Sequence, residues 1–342
     1  MAYRAERFIL MLQTNHKKTR ILASIFVTII FGGFSLVIAL NRQYISDQIT
    51  VWQFQPTSEI TGLVDRAGMN DSGKFIYLAS KPELNSPTDF NVACDRIENT
   101  TSILGCFSDR KIYLYNVTDP QLDGIREVTA VHETLHAVYL RLSATEKDRV
   151  NVLLENEYAK LENNEDFKSL MEFYDRTEPG QRDNELHSII GTEVSNIGHE
   201  LESYYSKYFT DRSKVVALDD KYSSVFNDLS TRASDLATRL NALGITISSN
   251  TEKYNSDARM LNSDISSFNI RADNGSFSSQ HSFDLERSAL TSRVSALEKL
   301  RTTLTTDISE YEAKLSEYNS ISSQTKKLYD SIDSTLVSAP SV

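Results

Sequence analysis

The order of apolar and polar positions along the chain separates it into three parts. The first is Ile21 to Leu40, an apolar run of about twenty residues without a charge, which is the length that an α-helix needs to cross a bilayer. A cleaved signal peptide is the alternative, but its apolar core spans only about 7–15 residues, so we expect an uncleaved transmembrane helix. Only Arg42 follows closely, whereas cations precede the run, which predicts that residues 1–20 stay in the cytoplasm and the rest lies outside. The preceding cations are Arg4, Arg7, Lys17, Lys18 and Arg20.

The second part, residues 46–215, has mixed periods and predicts a small α+β domain. Pro56–Met69 has a Thr-Ser start followed by apolar residues at helical spacing, which indicates a short amphipathic helix. Lys74–Ala79 and Lys111–Val117 are rich in β-branched and aromatic residues and are bounded by Gly, Asp and Pro. Both are therefore predicted to be strands of a short sheet.

Helices are predicted after this sheet. From Gly124 to about Arg141, apolar residues recur every three or four positions, which indicates one buried helix face. A second helix is predicted to begin at Ser143, because Ser143 and Glu146 have the spacing of a capping box. The two further predicted helices cover Asp166 to Tyr174 and a segment from about Arg182.

The third part, residues 221–342, follows the alternating three- and four-residue spacing of a coiled-coil seam. A polar loop over residues 271–282 contains Gly275 and interrupts the pattern, so we expect two helices folded back as an antiparallel hairpin. Self-association or a partner helix stays open, because heptads alone do not fix the number of strands. The predicted seam comprises Val225, Leu229, Ala233, Leu236, Leu240, Leu243, Ile247, Tyr254, Ala258, Leu261, Ile265 and Phe268, then Leu290, Val294, Leu297, Leu304, Ile308, Tyr311, Leu315, Tyr318, Tyr329, Ile332 and Leu336.

Charge and cysteine content narrow the class of protein. The 342 residues carry a formal net charge of -11, and no cluster of Lys and Arg follows the N-terminal segment, which argues against nucleic acid as a partner. Cys94 and Cys106 both fall on the predicted outer side, where an oxidising compartment lets thiols pair. We expect a disulfide that closes a short loop, and two free buried thiols are the alternative.

The segment His132 to His136, with the sequence HETLH, is the clearest chemical signal. On a helix its two histidines lie one turn apart, so both imidazoles project from one face and can bind one metal ion. A zinc ion with a third protein ligand keeps one position open for water and lowers the pKa of that water. Glu133 is then placed to take the proton from the water and pass it to a leaving amine. Two solvated histidines on an ordinary helix are the alternative.

The HETLH motif resembles that of the zincin metallopeptidases. Tyr139 and Leu142 stand where the metzincin branch has Gly and His, so the resemblance is to the gluzincin type, whose third ligand is a glutamate on a later helix. It implies Glu185, in the segment NELHSI, as the third ligand of one Zn2+. Ile189 replaces the family's aspartate, and Glu193, two turns along the same face, is the expected substitute or an alternative ligand. The segment is also similar to the E-x-x-A-D signature of membrane-bound zincins.

Other residues near Glu185 compete for a role. His187 is about 200° around the helix from Glu185, so we expect it behind the ligands or on the surface. His199 begins an aromatic run in which Tyr204 and Tyr205 are expected to be core residues, although either could stabilise an oxyanion.

These features predict a single-pass, membrane-anchored zinc endopeptidase that hydrolyses peptide or protein substrates outside the cytoplasm. The predicted fold is α+β, with a zincin-like domain made of a short sheet, the HETLH helix and a later ligand helix, followed by the hairpin. The alternative from another class is an anchored coiled-coil scaffold whose metal site is structural or inactive. A small-molecule hydrolase using the same metal chemistry is a third interpretation.

Overall fold

The computed structural model describes residues 26, 28–94, 103–161, 163–177 and 179–335. Most of them are helical, with one three-stranded sheet and two long C-terminal helices. The chain divides into two compact units. The first comprises Met1–Val117, Asp123–Asp220 and Ser334–Val342, and the second comprises Thr118–Leu122 and Lys221–Asp333. The expected combination of a short sheet, helices and a C-terminal helix pair is therefore present.

Two helices begin the described chain, α1 (Thr28–Leu40) and α2 (Arg42–Gln53), and they meet at a bend of 70°. No single helix among the described residues is long and apolar enough to cross a membrane, although α1 and α2 pass the same length and composition criteria together. Residues 21–25 and 27 of the predicted span lie outside the described residues. The transmembrane helix therefore stays a prediction.

Helix α3 (Ser58–Arg66) confirms the helix predicted within Pro56–Met69. The Thr57 side chain caps its first turn by accepting a hydrogen bond of 3.2 Å from the backbone N–H of Ile60. The apolar residues at helical spacing are buried, so the sequence pattern identifies both the start and the inner face of this helix.

The prediction of a strand at Lys74–Ala79 is wrong, because these residues belong to helix α4 (Asp71–Ala79). The Asn70 side chain caps the helix by accepting hydrogen bonds from two backbone N–H groups of the first turn. Gly73 and Tyr77, one turn apart, share the buried face. Capping and a helical burial pattern outweigh the β-rich composition at this position.

The sheet has the strand order β1 (Glu83–Asn85), β3 (Lys111–Tyr115), β2 (Gly105–Ser108). The central strand β3 pairs in parallel with β1 and antiparallel with β2. It confirms the strand predicted at Lys111–Val117, whereas β1 and β2 are too short to give a recognisable alternation.

A disulfide joins Cys94 to Cys106, as predicted, with Cα atoms 6.0 Å apart. Cys94 follows helix α5 (Pro87–Ala93), and Cys106 lies in β2 opposite Tyr113 of β3. Residues 95–102 of the enclosed loop lie outside the described residues. The bond fastens the edge strand β2 to α5.

Among the described residues, five α-helices lie entirely within the first unit after the sheet, and four of them correspond to predicted helices. The predicted capping box forms, since Glu146 N donates to Ser143 Oγ at 3.3 Å and Ser143 N donates to a Glu146 carboxylate oxygen at 2.9 Å. The helices are α6 (Ile125–Arg141), α7 (Ala144–Leu161), α8 (Glu165–Thr177), α9 (Arg182–Glu193) and the unpredicted α10 (His199–Tyr205).

Helices α6 and α9 approach each other closely at Gly191 of α9. A Cβ added there would lie 2.4 Å from Leu135 Cδ1 and 3.0 Å from Tyr205 Cε1, which is closer than side chains pack. Leu135 and Tyr205 are both fully buried. Glycine therefore sets the short distance between the helix that carries HETLH and the helix that carries Glu185.

A buried ion pair joins α6 to α2. Arg141, the last residue of α6, donates two hydrogen bonds of 2.9 Å from its guanidinium to the Asp47 carboxylate. Gln43 also donates to Asp47 at 2.9 Å. The bidentate geometry satisfies both charges, which is the condition under which they can be buried.

The second unit consists mainly of α11 (Ser213–Asp273), which begins within the first unit, and α12 (Gln280–Ile332). Residues 274–279 join them, with Gly275 at a φ of 64°. Ion pairs connect the helices in antiparallel order, which agrees with the predicted hairpin. These pairs are Arg232–Glu317, Arg239–Glu310, Asp264–Arg293 and Arg271–Glu286.

The hairpin buries a different stripe of α12 from the one its heptad pattern predicts. All predicted seam positions on α11 are buried or half-buried. On α12 the buried residues are Leu290, Leu304, Ile321 and Leu328, and the last two are absent from the predicted seam. Four predicted seam residues, Val294, Ile308, Leu315 and Tyr329, are exposed instead, and Leu336 lies outside the described residues.

Candidate metal centre

Helix α6 presents the two histidines of HETLH side by side. The ring centroids of His132 and His136 are 4.8 Å apart, as expected for residues one helical turn apart. His136 is buried and His132 is half-buried. The apolar positions of α6 bury its other side, so packing fixes the direction in which both imidazoles point.

Helix α9 brings Glu185 to these histidines. Its carboxylate oxygens lie 3.7 Å from His132 Nε2 and 3.5 Å from His136 Nε2. One candidate ligand atom from each residue lies within 4.8 Å of the other two. The structure thus brings the three predicted ligands together from two helices, with side chains that face a common point.

The surroundings of Glu185 fit a bound cation. The residue is 3 % exposed, and its Oε2 atom has no hydrogen-bond partner within 3.5 Å among the described residues; the His132 ring nitrogen lies 3.7 Å away. A buried charged oxygen without a short hydrogen bond is costly, and a metal ion is one of the few partners that removes this cost. Two imidazoles and one carboxylate form a donor set that suits zinc and leaves a coordination position open.

Electrostatics keep Glu185 in its charged form. Burial raises the pKa of Glu185, but the charges of His136 and His132 outweigh burial, so the net shift of its pKa is downward. A carboxylate must be deprotonated to bind a metal. In the metal-free protein the two neighbouring histidines therefore keep Glu185 in the ionised form that a ligand needs.

Ser188 on α9 holds the second ring nitrogen of His136. Its Oγ lies 3.2 Å from His136 Nδ1, and a hydrogen bond at Nδ1 orients the ring with Nε2 toward Glu185. Sequence reasoning misses this contact. The signal that could have found it is the three-residue spacing from Glu185, which puts both side chains on adjacent parts of one helix face.

Glu133 lies under the edge strand of the sheet. It is 5 % exposed, and a Cβ added to Gly105 of β2 would lie 2.7 Å from Glu133 Oε1. Gly105 therefore leaves room for the carboxylate between α6 and β2. The apolar pattern gives no sign of this, because the requirement for glycine comes from a tertiary contact.

Glu193 does not belong to the group of three ligands found among the described residues. Burial and the nearby carboxylate of Asp219 raise the pKa of Glu193 to about 7, with His132 acting in the opposite direction. Its role as an alternative ligand or as the partner of a ligating histidine stays a prediction.

Three of the remaining candidates, His187, Tyr204 and Tyr205, contact one another in an aromatic cluster. His187 is fully buried, its Nε2 lies 2.8 Å from the Tyr204 hydroxyl, and burial lowers its pKa to about 3. Tyr205 is a buried core residue that donates a hydrogen bond of 2.7 Å to the backbone oxygen of His187. His199 is exposed at the start of α10. In the part of the chain that the structure describes, none of these residues joins the three ligands.

Comparison with known protein families, curated proteins and solved structures finds no match for this chain.

Proposed function

We propose that this protein is a membrane-anchored, zinc-dependent peptidase with a zincin-like catalytic domain. One observation carries the proposal: His132, His136 and Glu185 converge from two helices, and the buried Oε2 of Glu185 has no hydrogen-bond partner within 3.5 Å among the described residues. Glu133, which follows His132 on the same helix, is the proposed general base.

Zinc held by these three residues would act as a Lewis acid, polarising a substrate carbonyl and lowering the pKa of a water molecule. Glu133 takes a proton from the attacking water and delivers it to the amine that leaves when the peptide C–N bond breaks. Ser188 holds His136 in one orientation throughout. Glu133 is 5 % exposed and packs against Gly105 of β2, so little of its side chain contacts bulk water.

The position of β2 favours a peptide over a small molecule as substrate. In the described part of the chain β2 pairs only with β3, so its other edge carries backbone groups without a strand partner. An extended peptide binds such an edge through main-chain hydrogen bonds. Gly105 of β2 lies against Glu133, so a peptide added to this edge would run beside the catalytic carboxylate.

The proposed location is the outer side of a membrane, with a cytoplasmic N-terminus. The Cys94–Cys106 disulfide supports this location, because such bonds persist mainly in oxidising compartments. The cation bias around the apolar run from Ile21 to Leu40 supports the orientation.

The proposal is tested by comparing peptide hydrolysis by the wild type and by Glu133→Gln, with bound zinc measured in both. Glu133→Gln should keep its zinc and lose hydrolysis by a factor of about 100 or more, since general base catalysis contributes on the order of 10²–10⁴ in rate. Equal hydrolysis by both proteins would contradict the assignment of Glu133.

A scaffold with a structural metal site is the second candidate, and the exposed apolar residues of α12 favour it. Val294, Ile308 and Leu315 lie at multiples of seven residues on the outside of the hairpin, where they could meet another helix. A scaffold role predicts bound zinc without hydrolysis of any peptide substrate.

A further inference from the structure

Helix α2 has two opposite faces with different partners. The inner face carries Asp47, whose carboxylate is buried and bound by Arg141. The outer face carries Ile45, Ile49 and Trp52, which are exposed by 36 %, 50 % and 85 % respectively. These three residues follow the i, i+4, i+7 spacing of one helix stripe, and each lies about 140–160° around the helix from Asp47.

The outer face of α2 has the composition of a helix that lies in a membrane interface. Its apolar stripe includes a tryptophan, which prefers the level of the lipid headgroups. The only charged residues of α2 are Arg42, at its first position, and Asp47, which faces inward. No charge in this helix therefore opposes contact between the stripe and lipid.

The bend between α1 and α2 orients α2 nearly parallel to the membrane plane when α1 spans the membrane. α1, at the end of the apolar run, meets α2 at 70°. If α1 follows the bilayer normal, α2 lies about 20° from the membrane plane, which is the difference between 90° and 70°. The stripe begins only a few residues after Leu40, the end of the predicted span.

We infer that α2 is an interfacial helix that binds the outer lipid surface through Ile45, Ile49 and Trp52. The inference rests on the anchored orientation given under the proposed function. Its occupant is lipid, because the stripe begins five residues after the apolar run ends at Leu40 and its flanking exposed residues Ser46 and Gln48 are uncharged.

The lipid-bound helix also fixes the position of the metal centre. Arg141, which holds α2 through Asp47, lies five residues after His136 on α6, about 7.5 Å along the helix axis at 1.5 Å per residue. The His132–His136–Glu185 centre is thus kept close to the membrane surface. The substrate class is then extracytoplasmic peptide segments that lie next to a membrane, such as the flanks of transmembrane helices.

Trp52 is the single tryptophan of the chain, so its fluorescence reports on this face without any substitution. The full chain is reconstituted into phosphatidylcholine vesicles, either ordinary or brominated on the acyl chain near the headgroup or near the chain end. We expect brominated lipid to quench Trp52 fluorescence, most strongly when the bromine is near the headgroup. Iodide dissolved in the water should quench Trp52 much less in vesicles than in the protein without lipid.

Emission that iodide quenches fully and brominated lipid leaves unchanged would overturn the inference. Shielding from iodide without quenching by lipid would overturn it as well, because it would mean that a protein surface covers Trp52. Flotation of the chain with the vesicles and its zinc content are measured on the same samples. Loss of either counts against the proposed function, separately from the result for α2.

A double variant, Ile45→Gln with Ile49→Gln, should weaken lipid quenching of Trp52 while zinc content stays at the wild-type value. Ile245→Gln, at an exposed isoleucine of α11, is the control and should leave lipid quenching unchanged. The double variant should also lose cleavage of peptides anchored in the vesicles while keeping cleavage of the same peptides in solution. Equal loss on both substrates would contradict the role of α2 in positioning the centre.

Discussion

At the residue scale, neighbouring groups shift the pKa values of two glutamates on the same helix in opposite directions. Glu185 faces two histidines, and its pKa is lowered despite burial. Glu193 is partly buried beside Asp219, and its pKa is raised to about 7. Both residues fit a metal-ligand hypothesis in sequence, since they lie two turns apart on one face. Only their tertiary neighbours separate the charged ligand from the acid that tends to be neutral.

The raised pKa of Glu193 predicts a pH-dependent stability in the metal-free protein. Its contribution is fully present below the ordinary pKa of 4.5 and is lost as the pH rises through about 7. Glu193→Gln removes this dependence, so at pH 8–9 the metal-free variant should be more stable than the wild type by about 1–3 kcal/mol. Urea unfolding of the chelated proteins across pH 5–9 measures the difference. Parallel stability curves would contradict the assignment, and the exposed Glu200→Gln is the control.

At the element scale, the centre depends on how closely α6 and α9 pack. The sequence predicts both helices, because α6 has an apolar stripe and α9 follows a Pro-Gly turn. It also predicts that both histidines share one face, since helix geometry alone requires it. The distance between the helices follows from Gly191, whose importance is visible only when Leu135 and Tyr205 are in place.

Gly191→Ala should therefore damage the centre more than its size suggests. The added methyl group overlaps Leu135 Cδ1, which overpacks a buried contact at a cost of about 1–3 kcal/mol and moves α9 away from α6. Thermal unfolding and zinc affinity should both decrease. Gly62→Ala in α3, where nothing lies within 4 Å of the added atom, is the matched control; it should stabilise by about 0.5–1 kcal/mol. Equal behaviour of the two variants would contradict this account of the packing.

The Cys94–Cys106 disulfide also affects the site, because it fixes strand β2 beside Glu133. Replacing Cys94 and Cys106 by alanine should cost about 2–3 kcal/mol, as expected for a bond that closes a loop with a sequence separation of 12. Peptide hydrolysis should decrease at temperatures where the variant is still folded, while bound zinc stays constant. Unchanged hydrolysis would show that β2 does not need to be fixed.

Two errors at this scale have physical causes. Lys74–Ala79 has the composition of a strand. It is helical because Asn70 caps the first turn of α4 and because the residues on one face of that helix are buried. The predicted α12 seam includes exposed residues and lacks the buried Ile321 and Leu328, because several apolar stripes fit the heptad pattern and only the position of α11 selects one. Helix caps and the spacing of two histidines depend on nearby residues in sequence, so they can be predicted. Which face of a helix is buried depends on the element that packs against it.

At the scale of the whole molecule, each unit carries a different surface. The first unit holds the candidate centre and the outer face of α2, with Trp52 exposed. The second unit is an antiparallel hairpin whose α12 leaves apolar residues in solvent. The sequence predicts the order of these parts, because their apolar periods differ: an unbroken run, mixed periods, then heptads.

The measurement that tests the account most directly is the zinc content of the purified full chain, by elemental analysis, in the wild type, Glu185→Gln and Glu193→Gln. These two variants make the same chemical change on the same helix. We predict close to one zinc per chain in the wild type and in Glu193→Gln, and a large loss in Glu185→Gln, because removal of one ligand from a three-ligand site leaves only two imidazoles. Folded wild-type protein without zinc, or a Glu185→Gln variant that keeps its zinc, would contradict the proposed centre.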